Sequence, residues 1–288
     1  MASKAFENLL AAANKARSGG STYSDDKENQ WMAEQDKAGN GFAIIRFLPG
    51  KTEDDIPFVK IYNHGFQNES GKWFVENCPT TLEKNCPVCE ANGVLWNSGI
   101  EANKDIVRKR KRKLKYASNV LVVQDSKNPE NEGKVFIFKY GQKIFDKIVY
   151  AMQPAVDDKG NPIDPDEVPI NPFDPVEGAN FKLKIRKVDG FANFDKSEFE
   201  DTSEIKNFDE IITQIHSLED IVAPSKFKDF DALKEKLDKV LGGTPTVKEK
   251  NDDEKFVEKA KNVTKTTVVD DDEDDESTME MFRSLAED

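Results

Sequence analysis

Four candidate metal ligands fall within one short stretch: His64, Cys78, Cys86 and Cys89 read H-x13-C-x7-C-x2-C. Cysteines number three in 288 residues, all between positions 78 and 89. An odd, clustered set excludes a disulfide framework. In the knuckle Cys86-Pro87-Val88-Cys89, two thiolates converge on one ion, and the more distant His64 and Cys78 complete a tetrahedron. Three thiolates and an imidazole saturate a zinc ion, leaving no position for water or substrate. One structural zinc is therefore expected, and its binding energy, about 10 to 16 kcal/mol in small zinc modules, becomes folding energy.

Other readings of these residues are weaker. Buried free cysteines would sit at apolar strand positions, whereas these thiols flank turn residues. A redox pair needs a βαβ setting, and Pro79, Asn85 and Asn92-Gly93 suggest a loop. Zinc deaminases require H-x-E and P-C-x-x-C, but Gly65-Phe66 follows His64 and Asn85 precedes Cys86. The remaining histidine, His216, reads as a boundary residue on a helix, and no catalytic dyad is visible, so no enzyme is expected.

Charge is segregated along the chain. The formal charge is −13, from 42 Lys plus Arg against 55 Asp plus Glu. Asp270 to Asp288 contains ten acidic residues and one basic one, while Lys104 to Lys115 contains eight basic residues and one acidic one. Such a chain can grip a polyanion with one segment and shield the site with the other. The run Arg108, Lys109, Arg110, Lys111, Arg112 and Lys113 leads toward a strand near Tyr116, where it offers phosphate contacts without sequence readout. A solvated charge run or a localisation signal is the plainer alternative. Trp73, Tyr116, Phe136 or Phe138, Phe191 and Phe194 occupy positions that a half-buried strand can expose, and stacked bases gain about 1 to 3 kcal/mol each on such rings.

The order of segments completes this reading. Residues 1–21 read as an arm, with helical spacing at Phe6, Leu9, Leu10 and Ala13 stopped by Ser18-Gly19-Gly20-Ser21. Five β-type runs follow, at 41–48, 56–64, 115–123, 134–140 and 179–188, and no alternating helices are expected among them. This pattern suggests a barrel or sandwich. The proline-rich stretch 155–178 reads as an exposed loop. Ile205, Phe208, Ile211, Ile212, Ile215 and Leu218 form one apolar helical face, and Phe227, Phe230, Leu233, Leu237 and Val240 another, expected to close the core. Residues 246–288 read as a disordered acidic tail, with Met279 to Leu285 able to fold on a partner. No apolar run approaches the roughly 18 residues of a membrane helix, and no secretory signal is visible, so a cytoplasmic location is expected.

These residues resemble the T4-type bacteriophage single-stranded DNA-binding (helix-destabilising) protein family. The resemblance runs in order through AGNGFAIIRFLPG (38–50), NHGF (63–66), GKWFVENC (71–78), CPVC (86–89), NVLVVQDSKNPENEGKVF (119–136), GQKIFDKI (141–148), EGANFKLKIRKVDGF (177–191) and the acidic tail. It implies a mainly β fold with α elements: an OB-fold (Greek-key β-barrel) core at 22–245 with a zinc subdomain at about 60–115 and flanking helices. It also implies an arm at 1–21 for cooperative self-association. The tail, 246–288, would recruit replication and recombination proteins of the polymerase, helicase-loader and recombination-mediator types. The implied zinc ligands are His64, Cys78, Cys86 and Cys89. The implied DNA contacts include Lys111, Arg112, Lys113, Tyr116, Trp73, Phe138, Phe191 and Phe194, with Trp96 matched across a gap.

The departures point toward phosphate contacts rather than stacking. Ala117 stands where the family has Trp, and several family Tyr positions hold no aromatic residue. Leu114 and Lys115 replace hydroxyl residues of the family's basic-plus-hydroxyl pentad, and the arm offers only Ser3-Lys4, Lys15 and Arg17. The expected function is sequence-independent, cooperative single-stranded DNA binding in phage replication, recombination and repair, in the host bacterial cytoplasm. The competing function is a zinc-containing adaptor whose acidic tail recruits enzymes, with incidental nucleic-acid binding.

Overall fold

The computed structural model describes residues 29–242, except 53–54, 156, 158–162 and 165–167. The expected arm and acidic tail lie outside the described residues. By its contacts the chain divides after Gln30, and the architecture below is that of the unit starting at Trp31.

The strands are β1 (Gln30–Trp31), β2 (Gly41–Phe47), β3 (Val59–Gln67), β4 (Trp73–Asn77), β5 (Lys113–Gln124), β6 (Val135–Tyr140), β7 (Ala179–Val188), β8 (Phe191–Asn193) and β9 (Glu198–Thr202). The helices are α1 (Pro87–Asn97), α2 (Glu101–Arg110), α3 (Gln142–Met152), α4 (Phe208–Ile212) and α5 (Phe230–Leu241). The sheet runs β1-β6-β5-β2-β7-β8, with the β3–β4 hairpin attached to β5 and β9 attached to β7. The protein is thus a sheet-rich mixture of α and β elements.

Strand β5 is the hinge of the topology. Its first residues, Lys113 to Ala117, pair with β3, and Val120 to Gln124 pair with β2. Since β6 runs antiparallel along Tyr116 to Leu121, β2 and β3 must share the opposite edge of β5. Tyr116 to Val120 are all buried, so both faces of this strand are covered. Strand β7 keeps strict alternation instead, burying Ala179, Phe181, Leu183 and Ile185 on a single face.

The main core gathers Ile45, Phe47, Val120, Phe138, Tyr140 and Leu183, among others, and α3 seals it with Ile144 and Ile148, four residues apart on one helical face. A second core joins Phe66, Phe74, Cys78, Cys86 and Val88 to Leu233, Leu237 and Val240 of α5. Gly178 is required beside the first core: a Cβ there would lie 2.4 Å from the Asp174 carbonyl oxygen and 2.7 Å from Arg46 Nη2.

The five expected strands all form. Three expectations about the remaining segments are corrected. Helices do interrupt the strands, since α1 and α2 separate β4 from β5 and α3 separates β6 from β7. Pro87 starts α1 at a position where its missing N–H costs nothing, so Asn92 and Gly93 are helical rather than in a loop. The face from Ile205 to Leu218 yields only the short α4, with a 3-10 turn following at Glu219–Ile221, and α5 covers the cysteine region rather than the main sheet. The 155–178 loop is largely exposed where described, but Phe173 is buried in the main core. Among the described residues, no helix is long and apolar enough to cross a membrane.

Candidate functional site

His64 lies on β3, Cys78 follows β4, Cys86 caps α1 and Cys89 occupies its first turn. A 3-10 helix, Pro79–Leu82, and the left-handed Glu83 (φ 59°) turn the chain back between Cys78 and Cys86. The four candidate ligand atoms lie within 4.8 Å of one another. Nε2 of His64 is 3.5 Å from both Cys86 Sγ and Cys89 Sγ, and Cys78 Sγ is 3.6 Å from Cys89 Sγ. A tetrahedral ion with thiolate bonds of about 2.3 Å and an imidazole bond of about 2.0 Å requires edges of roughly 3.5 to 3.8 Å. The cluster fits a metal ion.

The surroundings prepare these ligands. Nδ1 of His64 lies 3.0 Å from the Arg110 carbonyl oxygen, which only accepts, so Nδ1 carries the proton and Nε2 turns its lone pair to the sulfurs. Hydrogen bonds from Cys86 and Cys89 hold the Cys78 thiol far below its ordinary pKa, while Cys89 is pushed up by its bonds to Cys78 and Cys86. Burial lowers the His64 pKa, but its bonds to Cys78 and Cys86 prevail and raise it to about 9, so the Nε2 lone pair becomes available to an ion when the ring gives up its second proton. Metal ligation would displace the remaining protons and leave three thiolates whose charge the cation balances. The N-terminal turn of α1 supports thiolates with its backbone dipoles.

The basic run occupies the junction between α2 and β5, not a purely strand-to-strand connection. Arg108, Lys109 and Arg110 form the last turn of α2, where positive charge favours the helix C-terminus, and Lys113 opens β5. Arg108 pairs with Glu101 and Asp105, which raise its pKa. Trp96 of α1 is half-buried, with Lys104 Nζ 5.8 Å and the Arg108 guanidinium 5.9 Å from its ring centroid. Arg110 lies 5.6 Å from the Phe66 ring, and burial lowers its pKa against the opposing pull of Glu69. Arg112 lies 4.2 Å from the Tyr62 ring and donates to Thr80 Oγ1 at 2.7 Å.

Metal cluster and basic run therefore share atoms. The Arg110 carbonyl accepts from His64 and also from Asn92 Nδ2 at 3.1 Å, and Thr80 joins Arg112 to Cys78. Sequence reasoning missed Tyr62, Phe66, Thr80 and Asn92. The two-residue spacing Lys60, Tyr62, His64, Phe66 along β3 was the available signal, because it places the rings on the ligand's face of the strand.

The expected aromatic contacts separate. Tyr116 and Phe138 are buried, 6% and 3% exposed, which corrects the expectation that they face outward. Tyr116 stacks on Phe145 with centroids 3.8 Å apart and donates to Gln142 Oε1, while Phe138 packs against Trp31 and Tyr140. Both faces of β5 and β6 are covered at these positions, a fact set by α3 and the opposing strands. Trp73 is half-buried on β4 and Phe191 is exposed on β8. Phe194 is half-buried against the main core. Strand β8 is separated from β5 by β2 and β7 in the sheet order, so Phe191 is not next to the basic run within the sheet. His216 lies beyond the end of α4, not on a helix as expected from the sequence, and its Nε2 is 3.1 Å from the Val135 carbonyl.

Residues 39–241 match the family model described as gp32 DNA binding protein like. The chain is 40% identical over 243 residues to the single-stranded DNA-binding protein of Enterobacteria phage T4, covering 81% of this chain and 77% of that protein. It is 39% identical over 249 residues to the protein of the same description from Enterobacteria phage T2, covering 83% and 78%. A shorter match, 39% over 89 residues, links 30% of the chain to 78% of the single-stranded DNA-binding protein of Escherichia phage SV14.

Proposed function

Because the chain belongs to the gp32-like family of DNA-binding proteins, we propose that it binds single-stranded DNA cooperatively and without sequence preference in phage replication, recombination and repair. The family is one of binding proteins rather than enzymes. The observation that carries this reading is the convergence of Arg110 and Arg112 onto the half-buried and buried rings of β3 beside the cysteine cluster. Guanidinium groups held on aromatic faces keep their hydrogen-bonding edges oriented for phosphate.

In this reading Arg108 to Lys113 track the backbone, and Trp96, Trp73, Phe191 and Phe194 provide stacking surfaces. Tyr116 and Phe138 contribute by packing. The core is an OB-fold, a reading supported by a long strand that pairs with two others along one edge. The cluster holds one zinc ion through His64, Cys78, Cys86 and Cys89; when bound, it supplies cross-linking of β3, β4 and α1. The arm, 1–21, mediates self-association along DNA, and the tail recruits replication and recombination proteins. Tail regulation is supported by the position of Gly242, the last described residue, which lines one cleft with Asn68, Glu69, Ser70, Arg110 and Leu241. Gly242 thus lies beside Arg110 of the basic run. The protein works in the host cytoplasm.

Tryptophan fluorescence tests the reading during titration with a dT oligonucleotide and with a duplex, each over a salt series. Single-strand-selective quenching is expected, with a log-log salt slope near −0.7 for each of about three to five phosphate contacts. Equal duplex binding would favour the adaptor, and no response to either nucleic acid would refute DNA binding.

A further inference from the structure

Arg112 is held from two sides. Its guanidinium lies on Tyr62, and Nη1 donates to Thr80 Oγ1 at 2.7 Å. Thr80 Oγ1 is in turn 3.1 Å from Cys78 Sγ. A threonine hydroxyl has one proton and two lone pairs, whereas a guanidinium only donates. Arg112 thus takes a lone pair of Thr80, which leaves the hydroxyl proton to point at sulfur. Metal ligation requires that sulfur as a thiolate, the better acceptor. The result is a relay in one direction, guanidinium to hydroxyl to thiolate. Its geometry is local: Thr80 belongs to the same 3-10 helix, Pro79–Leu82, that Cys78 caps.

We propose that Thr80 is a positioning residue for single-stranded DNA, coupling the metal-ligating Cys78 to the orientation of Arg112. This rests on the reading that Arg112 grips the DNA backbone. Tyr62 provides the plane, Thr80 selects the rotation of the guanidinium within it, and the loaded cluster fixes Thr80. Metal occupancy is then communicated to the DNA site through one side chain as well as through folding.

The test compares Thr80→Val, Thr80→Ser, Arg112→Ala and the Thr80→Val/Arg112→Ala double variant as full chains in excess zinc. Bound zinc per chain, zinc retention against a chelator, thermal stability and the salt slope for a dT oligonucleotide are measured. Thr80→Val should keep one zinc, release it about tenfold more readily, and lose about 0.7 from the salt slope, the contribution of one phosphate contact. Thr80→Ser should restore both. Arg112→Ala should lower the slope equally, with no further loss in the double variant, because the two residues act through one contact.

A normal slope for Thr80→Val beside a lowered slope for Arg112→Ala would overturn the positioning role and leave the DNA-binding reading intact. A normal slope for Arg112→Ala would instead overturn the assignment of Arg112 to phosphate, and the relay with it. Failure of Thr80→Val to load zinc even in excess would show that the hydroxyl serves the metal alone, which also refutes the coupling.

Discussion

Replacing Leu233 with alanine should weaken zinc binding although Leu233 ligates nothing. Leu233 is 1% exposed on α5 and shares a core with Cys78, Cys86, Phe66 and Phe74. Truncating a buried leucine costs about 2 to 5 kcal/mol, from lost transfer energy and the cavity left behind. If the cluster and α5 fold as one unit, a loss of about 3 kcal/mol appears in metal affinity as a weakening of roughly 100-fold. The assay is competition with a chromogenic chelator at fixed pH, followed by a thermal melt of the same samples. Ile148→Ala is the control: that residue is 0% exposed but belongs to the main core under α3, so it should lose comparable stability with zinc affinity changed less than about threefold. Equal zinc affinity for Leu233→Ala and the unaltered protein, despite a lowered melting point, would refute the shared folding unit.

Three further outcomes are expected. Phe138→Ala should cost about 3 to 5 kcal/mol of stability, while Phe191→Ala should leave stability nearly unchanged and reduce single-strand affinity by about 1 to 3 kcal/mol; chemical denaturation and fluorescence titration separate the two. The Asp229 side chain caps α5 by accepting from the Ala232 backbone N–H at 2.8 Å, so Asp229→Ala should lower stability by about 1 kcal/mol in the same denaturation assay, and an unchanged midpoint would count against the cap. Deleting residues 247–288 should tighten binding to a dT oligonucleotide at low salt and reduce its salt sensitivity, whereas unchanged affinity would rule out tail gating.

The ligand set was legible because cysteine and histidine chemistry is confined to few residues, and their spacing survives whatever local structure carries them. The β-segments were legible from short-range alternation, as in Ala179, Phe181, Leu183 and Ile185, and the basic run from charge alone. The helical state of Pro87 to Asn97 was obscured by Asn92 and Gly93, residues whose turn preference is overridden when Pro87 starts a helix and Val88 anchors it in a core.

What the sequence by itself determined was therefore local chemistry: four metal-ligand types, strand periodicity and the separation of positive from negative charge. Tertiary structure alone decided which rings face outward, that Arg110 and Arg112 lie on Phe66 and Tyr62, and that α5 belongs to the cysteine subdomain. The physical reason is that alternation defines two faces of a strand without saying which is covered. Tyr116 and Phe138 occupy strands covered on both faces, whereas Phe191 lies on a short edge strand that leaves its ring exposed.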